Sequence, residues 1–164
     1  MITSRFNRVL EVRAKLAAGD VSVGTWQQIP NASVSEILGK AGYDWVTVDL
    51  EHGSVSMERL PDLFRAIELG GCLAIARVAE ATPSACKAAL DAGAGGVIAP
   101  SIQSADQVKR LLWSCRWPPA GGRGVGFSRA NLFGQEFDIY RSEAQAPLVI
   151  AMIEDGQTVE MNIK

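Results

Sequence analysis

Trp45-Val46-Thr47-Val48-Asp49-Leu50-Glu51-His52-Gly53 is the stretch that orders the rest of the chain. Trp45 to Val48 are apolar or β-branched, the pattern of a short strand covered on both faces. Two carboxylates and the only histidine of the chain follow at once, and Gly53 lets the backbone turn. In a barrel of parallel strands, the C-terminal ends of the strands are where active sites are built. What Asp49, Glu51 and His52 face is therefore the central question.

Outward from this stretch the same rhythm repeats. Residues 5–19 predict a helix with Val9, Leu10, Val12, Leu16 and Ala17 on its apolar face, stopped by Gly19. Residues 21–26 predict the first strand, and Asn31 or Ser33 can cap a helix that carries Val34, Ile37 and Leu38 and ends near residues 39–42. A helix over 56–69 has Leu60, Leu63, Phe64, Ile67 and Leu69 apolar, with Pro61 in its first turn, where a missing N–H costs little. Strands over 73–77, 95–100 and 147–153 alternate with helices over 84–92, 104–115 and about 137–143, and a last helix begins over 158–163. Strict alternation and short connections argue for a right-handed α/β architecture with a parallel sheet. Residues 1–164 read as a single domain. Five βα units fit an open flavodoxin-like sheet by length, whereas a (β/α)8 barrel takes typically ~250 residues. Pattern alone leans to the open sheet.

Hydrophobic residues make up 48% of the chain and charged residues 21%, with a net charge of -2, which is ordinary for a globular domain. No basic cluster stands out, so nucleic acid and anionic membrane surfaces are not expected partners. No apolar run reaches the ~18 residues of a membrane span, and the polar start of the chain reads as no signal peptide. Cys72, Cys86 and Cys115 are odd in number and lack C-x-x-C spacing, which suits reduced, buried thiols and a cytoplasmic location.

A histidine with carboxylates in reach is the equipment of a general base near neutral pH. The plainer alternative for Asp49, Glu51 and His52 is a solvated or capping loop. Arg77 ends a strand of small apolar side chains, where a guanidinium could clamp an α-keto acid or pair with Glu51 or Glu80 and tie two strand ends. Glu154 follows six apolar residues, as a candidate ligand for a hard divalent cation or as the cap of the next helix. Asp91 stands near a helix C-terminus, which is unfavourable for an acid, so either a specific partner or a solvated face is expected. The Gly122-Arg123-Gly124-Val125-Gly126 run could cradle an anion with its N–H groups. It is not G-x-G-x-x-G and no helix starts from it, so a dinucleotide site fails its context. A loop over a site and a structural turn stay equally open.

The motifs in question are Asp49-Leu50-Glu51-His52-Gly53, Ala76-Arg77-Val78, Ala88-Ala89-Leu90-Asp91-Ala92-Gly93-Ala94, Gly96-Val97-Ile98-Ala99-Pro100, Pro118-Pro119 through Arg123-Gly124-Val125-Gly126, and Met152-Ile153-Glu154. Taken together, in order and spacing, they resemble the metal-dependent class II pyruvate aldolases of the HpcH/HpaI aldolase/citrate lyase family. The resemblance implies a (β/α)8 TIM barrel, reversing the lean to an open sheet. It implies a carbon–carbon lyase that cleaves a 4-hydroxy-2-keto acid to pyruvate, or a related 2-keto acid, and an aldehyde. A divalent cation (magnesium, manganese or cobalt) is implied to hold the keto acid and stabilise its enolate. On the matching positions His52 is the base, acting through a water, with Asp49 supporting it. Arg77 binds the keto acid and Asp91 helps orient the catalytic groups. Arg123 and Gly124 contact substrate, and Glu154 is the first metal ligand. A homo-oligomer is implied if the barrel is complete.

Two departures stand out. Met152 occupies the place of the family's usual glutamine two residues before the metal-binding glutamate, and a thioether cannot replace an amide. The Gly-Pro-x-Asp-Leu segment that carries a second metal ligand is absent, so the chain resembles about the first five βα units of the barrel. An inactive remnant that folds or associates without turnover is the competing expectation. A response-regulator-type binding module would need acids at the first strand, and residues 21–28 contain none.

Overall fold

The apolar runs become strands and the amphipathic stretches helices in the computed structural model, which describes residues 5–156 and Thr158. The order is α1 (Arg5–Ala18), β1 (Gly24–Gln27), α2 (Ala32–Lys40), β2 (Trp45–Asp49), α3 (Leu60–Gly70), β3 (Leu73–Arg77), α4 (Pro83–Asp91), β4 (Gly96–Ala99), α5 (Ala105–Cys115), α6 (Phe137–Ala144) and β5 (Leu148–Ala151). Local chemistry sets the helix starts: the side chains of Asn31, Thr82 and Ser104 accept N–H groups from the first turns of α2, α4 and α5. The helix predicted over 56–69 is a 3₁₀ turn (Met57–Arg59) followed by α3. A second 3₁₀ segment, Arg129–Gly134, has no counterpart in the predicted elements. The helix expected over 158–163 lies, Thr158 apart, outside the described residues.

β1 starts later than expected. Its partner β2 offers pairing only from Trp45, opposite Gly24, so Val21 and Val23 are left exposed ahead of the strand.

The strands are all parallel and lie in the order β1-β2-β3-β4-β5. An open flavodoxin-like sheet would begin 2-1-3. Sequential order is that of a barrel wall, and it corrects the lean to an open sheet that pattern alone suggests. Among the described residues β1 and β5 each have one neighbouring strand.

One face of the sheet packs on the helices. Val46, Val48, Ala74, Ala76, Val97 and Ala99 meet the buried stripe of α3 (Leu60, Leu63, Phe64 and Ile67, each with no exposed surface) and the inner faces of α4 and α5. The stripe follows i, i+3, i+4, i+7 spacing, and each such side chain stabilises the fold by about 1.5–3 kcal/mol. The alternate residues of the strands point to the other face, where Leu73, Ile75, Ile98 and Leu148 pack on Val9 and Val12 of α1. α2 and α3 approach backbone to backbone: a Cβ on Gly39 would stand 2.7 Å from the Ile67 carbonyl oxygen. Gly39 is thus a packing point within α2, and Gly42, at φ +88°, makes the turn.

Candidate active site

Register brings the site together. β2 and β3 pair so that Asp49 lies opposite Arg77 at their C-terminal ends. Arg77 grips Asp49 with a fork, Nε to Oδ1 at 2.8 Å and Nη2 to Oδ2 at 2.5 Å. Gln28 donates to Asp49 Oδ2 at 2.9 Å, and the backbone N–H groups of Glu51 and His52 donate to Oδ1 at 3.1 and 3.2 Å. Asp49 has no exposed surface. Burial works to raise its carboxyl, but the donors, Arg77 first, outweigh it and hold the group well below the ordinary carboxylate range. The same bond from Asp49, with the fields of Glu51 and Glu154, raises Arg77 against the cost of its burial.

Glu51 adds an ion pair, with Oε2 3.2 Å from Arg77 Nη1, yet that buried oxygen accepts no hydrogen bond. The alternative in which Arg77 ties strand ends is thus realised, through Asp49 and Glu51 and not Glu80. It does not exhaust the guanidinium, which has five N–H groups.

Two residues of this site were not among the sequence candidates. The Trp26 ring lies over the Arg77 guanidinium, 4.6 Å from centroid to Cζ, and Gln28 completes the hold on Asp49. The signal for them was strand periodicity. Gly24, Trp26 and Gln28 alternate onto the face that Asp49 uses, but which residues they meet depends on the β1–β2 register. Trp26→Ala is expected to cost about 1 kcal/mol of stability, read as a lower urea midpoint. An unchanged midpoint would mean the ring covers Arg77 without holding it.

The remaining candidates fall in different places. His52 is at the rim, its side chain 66% exposed and its Nε2 3.8 Å from Glu51 Oε1. Asp49 supports it by pinning its backbone, since the carboxylate accepts the His52 N–H. Glu154 Oε2 accepts the N–H of Ser101, in the turn after β4, at 2.7 Å. The capping role weighed for Glu154 belongs to Asp155, which takes the N–H and hydroxyl of Thr158 at 2.8 and 2.6 Å.

Asp91, Arg123 and Gly124 stand apart from this group. α4 runs back from the Arg77 end, so Asp91, its last residue, lies at the other end of the sheet, just before β4 begins. Burial raises the Asp91 carboxyl, opposed by Arg123 and Lys87. Arg123 is 3% exposed, donates to the Tyr140 hydroxyl at 2.8 Å and lies over the Trp117 ring. With Gly124, Lys87 and Trp113 it lines a cavity of about 330 Å³ between α4 and α5 that includes none of Asp49, Glu51 and Arg77. The three cysteines are free and buried, as expected.

The fold and the Asp49–Arg77 pair can be set beside known proteins. Residues 22–164 match the family described as HpcH/HpaI aldolase/citrate lyase. The chain belongs to that family. Among curated HpcH/HpaI relatives, the 4-hydroxy-2-oxovalerate aldolase of Novosphingobium aromaticivorans is 35% identical over 150 residues, covering 90% of this chain and 57% of the relative. An HpcH/HpaI aldolase/citrate lyase family protein from Burkholderia cenocepacia superposes with a TM-score of 0.82 at 32% identity, over 92% of this chain and 62% of that one. Citrate synthase SbnG is similar too, with a TM-score of 0.73 at 30% identity over 91% of this chain and 58% of that one. The HpcH/HpaI chain therefore spans about three-fifths of the length of these proteins. Its five βα units are those of a TIM-barrel wall, and the proteins it is similar to include one named as an aldolase and one named as a citrate synthase. No helix among the described residues is long and apolar enough to cross a membrane.

Proposed function

We propose that the C-terminal ends of β2 and β3 bind a 2-keto acid for metal-dependent aldol cleavage of a 4-hydroxy-2-keto acid, as in class II aldolases. The observation that carries this is the state of Arg77. Asp49 takes two of its five N–H groups and Glu51 faces a third. Two are left, one on each terminal nitrogen, on a guanidinium held rigid by its carboxylate and by the Trp26 ring. Preorganised donors of this kind stabilise charge that develops on a bound keto oxygen or carboxylate.

The residues present fit a hard divalent cation such as magnesium, manganese or cobalt. Such ions are held by one or two carboxylates, with water and substrate oxygens completing the shell. Glu154, exposed just past β5, would be the ligand. No group of three or more metal-ligating side chains occurs among the described residues. Bound there, the cation would polarise the keto oxygen and offset the charge that develops on it. His52 takes the proton of the C4 hydroxyl through a water as the C3–C4 bond breaks and the aldehyde leaves, and then hands a proton back through that water to C3, which regenerates the base. Asp49 keeps Arg77 oriented and fixes the loop that carries His52. Asp91, Arg123 and Gly124 are assigned no step at this end. Where family members carry glutamine, Met152 offers no N–H to a ligand or a water. The partners are a small 2-keto acid and an aldehyde, with a homo-oligomeric assembly where the barrel is complete.

The test is exchange of the pyruvate methyl protons in D₂O, followed by proton NMR, which asks for proton transfer without choosing an aldehyde. Exchange is expected to need divalent metal, to fall at least about 100-fold in His52→Ala, and to require several-fold more metal in Glu154→Gln. A folded sample that exchanges at no metal concentration would overturn the activity and leave an inactive member of the family.

A further inference from the structure

We propose that the cavity between α4 and α5 is a second, anion-binding site, built to take a phosphoryl group on Lys87 and on the N–H groups of Trp113 and Gly124. It stands apart from the strand ends that carry Asp49, Arg77 and Glu154 and rests on none of the roles assigned there. The cavity measures about 330 Å³, room for a small phosphate monoester as well as for the free ion. Its lining is rich in donors and holds no carboxylate among the described residues.

The loop after α5 makes the site. Gly121, Gly122 and Arg123 donate their N–H groups to the Trp117, Trp113 and Arg116 carbonyls at 3.0, 2.9 and 2.9 Å, which folds the loop back on the end of α5. Side chains then stand where a Cβ would go on its glycines. On Gly122 a Cβ would lie 2.2 Å from Trp113 Nε1, and on Gly124 it would lie 3.4 Å from Lys87 Nζ. The indole N–H, the ammonium and the loop backbone therefore converge. Neither the indole N–H nor the Gly124 N–H has a protein acceptor among the described residues. Ser84, in the first turn of α4, adds the positive end of that helix. Backbone N–H groups gathered in a turn form concavities that bind anions.

Charge argues the same way. Arg123 borders the cavity at 3% exposure. Its Nη2 donates to Tyr140, and its buried Nε and Nη1 meet no acceptor. Lys87 forms no ion pair among the described residues, and Asp91, whose field both cations feel, pairs directly with neither. Buried charge left short of partners is costly, and a bound anion offsets that cost. The donor set selects a phosphoryl group over a carboxylate. A carboxylate is best met by a planar guanidinium fork, and the Arg123 fork is buried and turned to Tyr140. Lys87 is a point charge, and N–H groups that arrive from different sides suit a tetrahedral oxyanion.

The experiment is a titration of the ¹⁵N-labelled full chain with inorganic phosphate, read on the Trp113 indole and Gly124 amide signals by NMR. Ionic strength is held fixed, because salt screens exposed charges, and Trp113→Phe identifies the indole signal. Saturable shifts are expected, with an affinity at least about tenfold weaker in Lys87→Gln and for acetate as the probe. Lys87 is exposed, so its substitution should leave the fold intact. Lys109→Gln, on α5 but outside the lining, should stay within about twofold of wild type. Arg77→Lys should leave these shifts unchanged, which separates the cavity from anion binding at the strand ends. Glycerol phosphate distinguishes the sources: tighter binding than phosphate marks a phosphate monoester, equal binding the free ion. Shifts that do not saturate, that persist in Lys87→Gln, or that acetate reproduces at equal concentration would overturn the proposal.

Discussion

Asp49→Ala is expected to lower the unfolding free energy by about 3–5 kcal/mol, the usual cost of removing one partner from a buried ion pair. The carboxylate is fully buried and gathers five donors: two from Arg77, one from Gln28 and the N–H groups of Glu51 and His52. Its loss strands the guanidinium at 9% exposure and frees the loop that carries Glu51 and His52. Urea unfolding at pH 7 measures the effect, and a loss below about 1 kcal/mol would show the pair to be dispensable to the fold. The pH dependence has a definite sign. The folded carboxyl lies below its unfolded value, so its stabilisation is complete above the unfolded value of about 4 and is lost as pH falls toward the folded one. The stability gap between wild type and Asp49→Asn should therefore be constant from pH 5 to 7 and close progressively below about pH 4.

Arg77→Lys is expected to reduce metal-dependent pyruvate exchange by about 100- to 1,000-fold, the range found for losing a preorganised donor to developing charge. Lysine retains a charge that can pair with Asp49, so the fold should survive. It loses the planar fork: one ammonium cannot span both Asp49 oxygens, face Glu51 and still present two N–H groups to a ligand. The loss should fall on the exchange rate far more than on the urea midpoint. Exchange within about threefold of wild type would leave Arg77 as a tie between β2 and β3.

The chemistry-bearing ends of the strands were legible because a strand covered on both faces is apolar until its last residue. Asp49 after Val48, Arg77 after Ala76 and Glu154 after Ile153 break their runs abruptly. Caps and turn glycines carry equally local signals, and Asn31, Thr82, Ser104 and Gly71 behave as their types dictate. Strand ends were less legible. Where β1 begins depends on where β2 starts to offer partners, which no window on residues 21–27 contains.

Sequence by itself determined the alternation of strands and helices, the position of Asp49 and Arg77 at strand ends and, through its motifs, the family. Each of these is a property of neighbours along the chain. Strand pattern left barrel and open sheet unseparated, the motifs implied the barrel through the family, and tertiary structure showed it in the sequential strand order. Tertiary structure alone decided that Asp49 serves Arg77 and the His52 backbone, that Trp26 and Gln28 join them, and that Arg123 turns into a separate cavity. The physical reason is common to all of these. Side chains far apart in the chain meet only through strand register and the side of the sheet to which each helix returns, and period-two or period-3.6 patterns specify a face without naming what it will face.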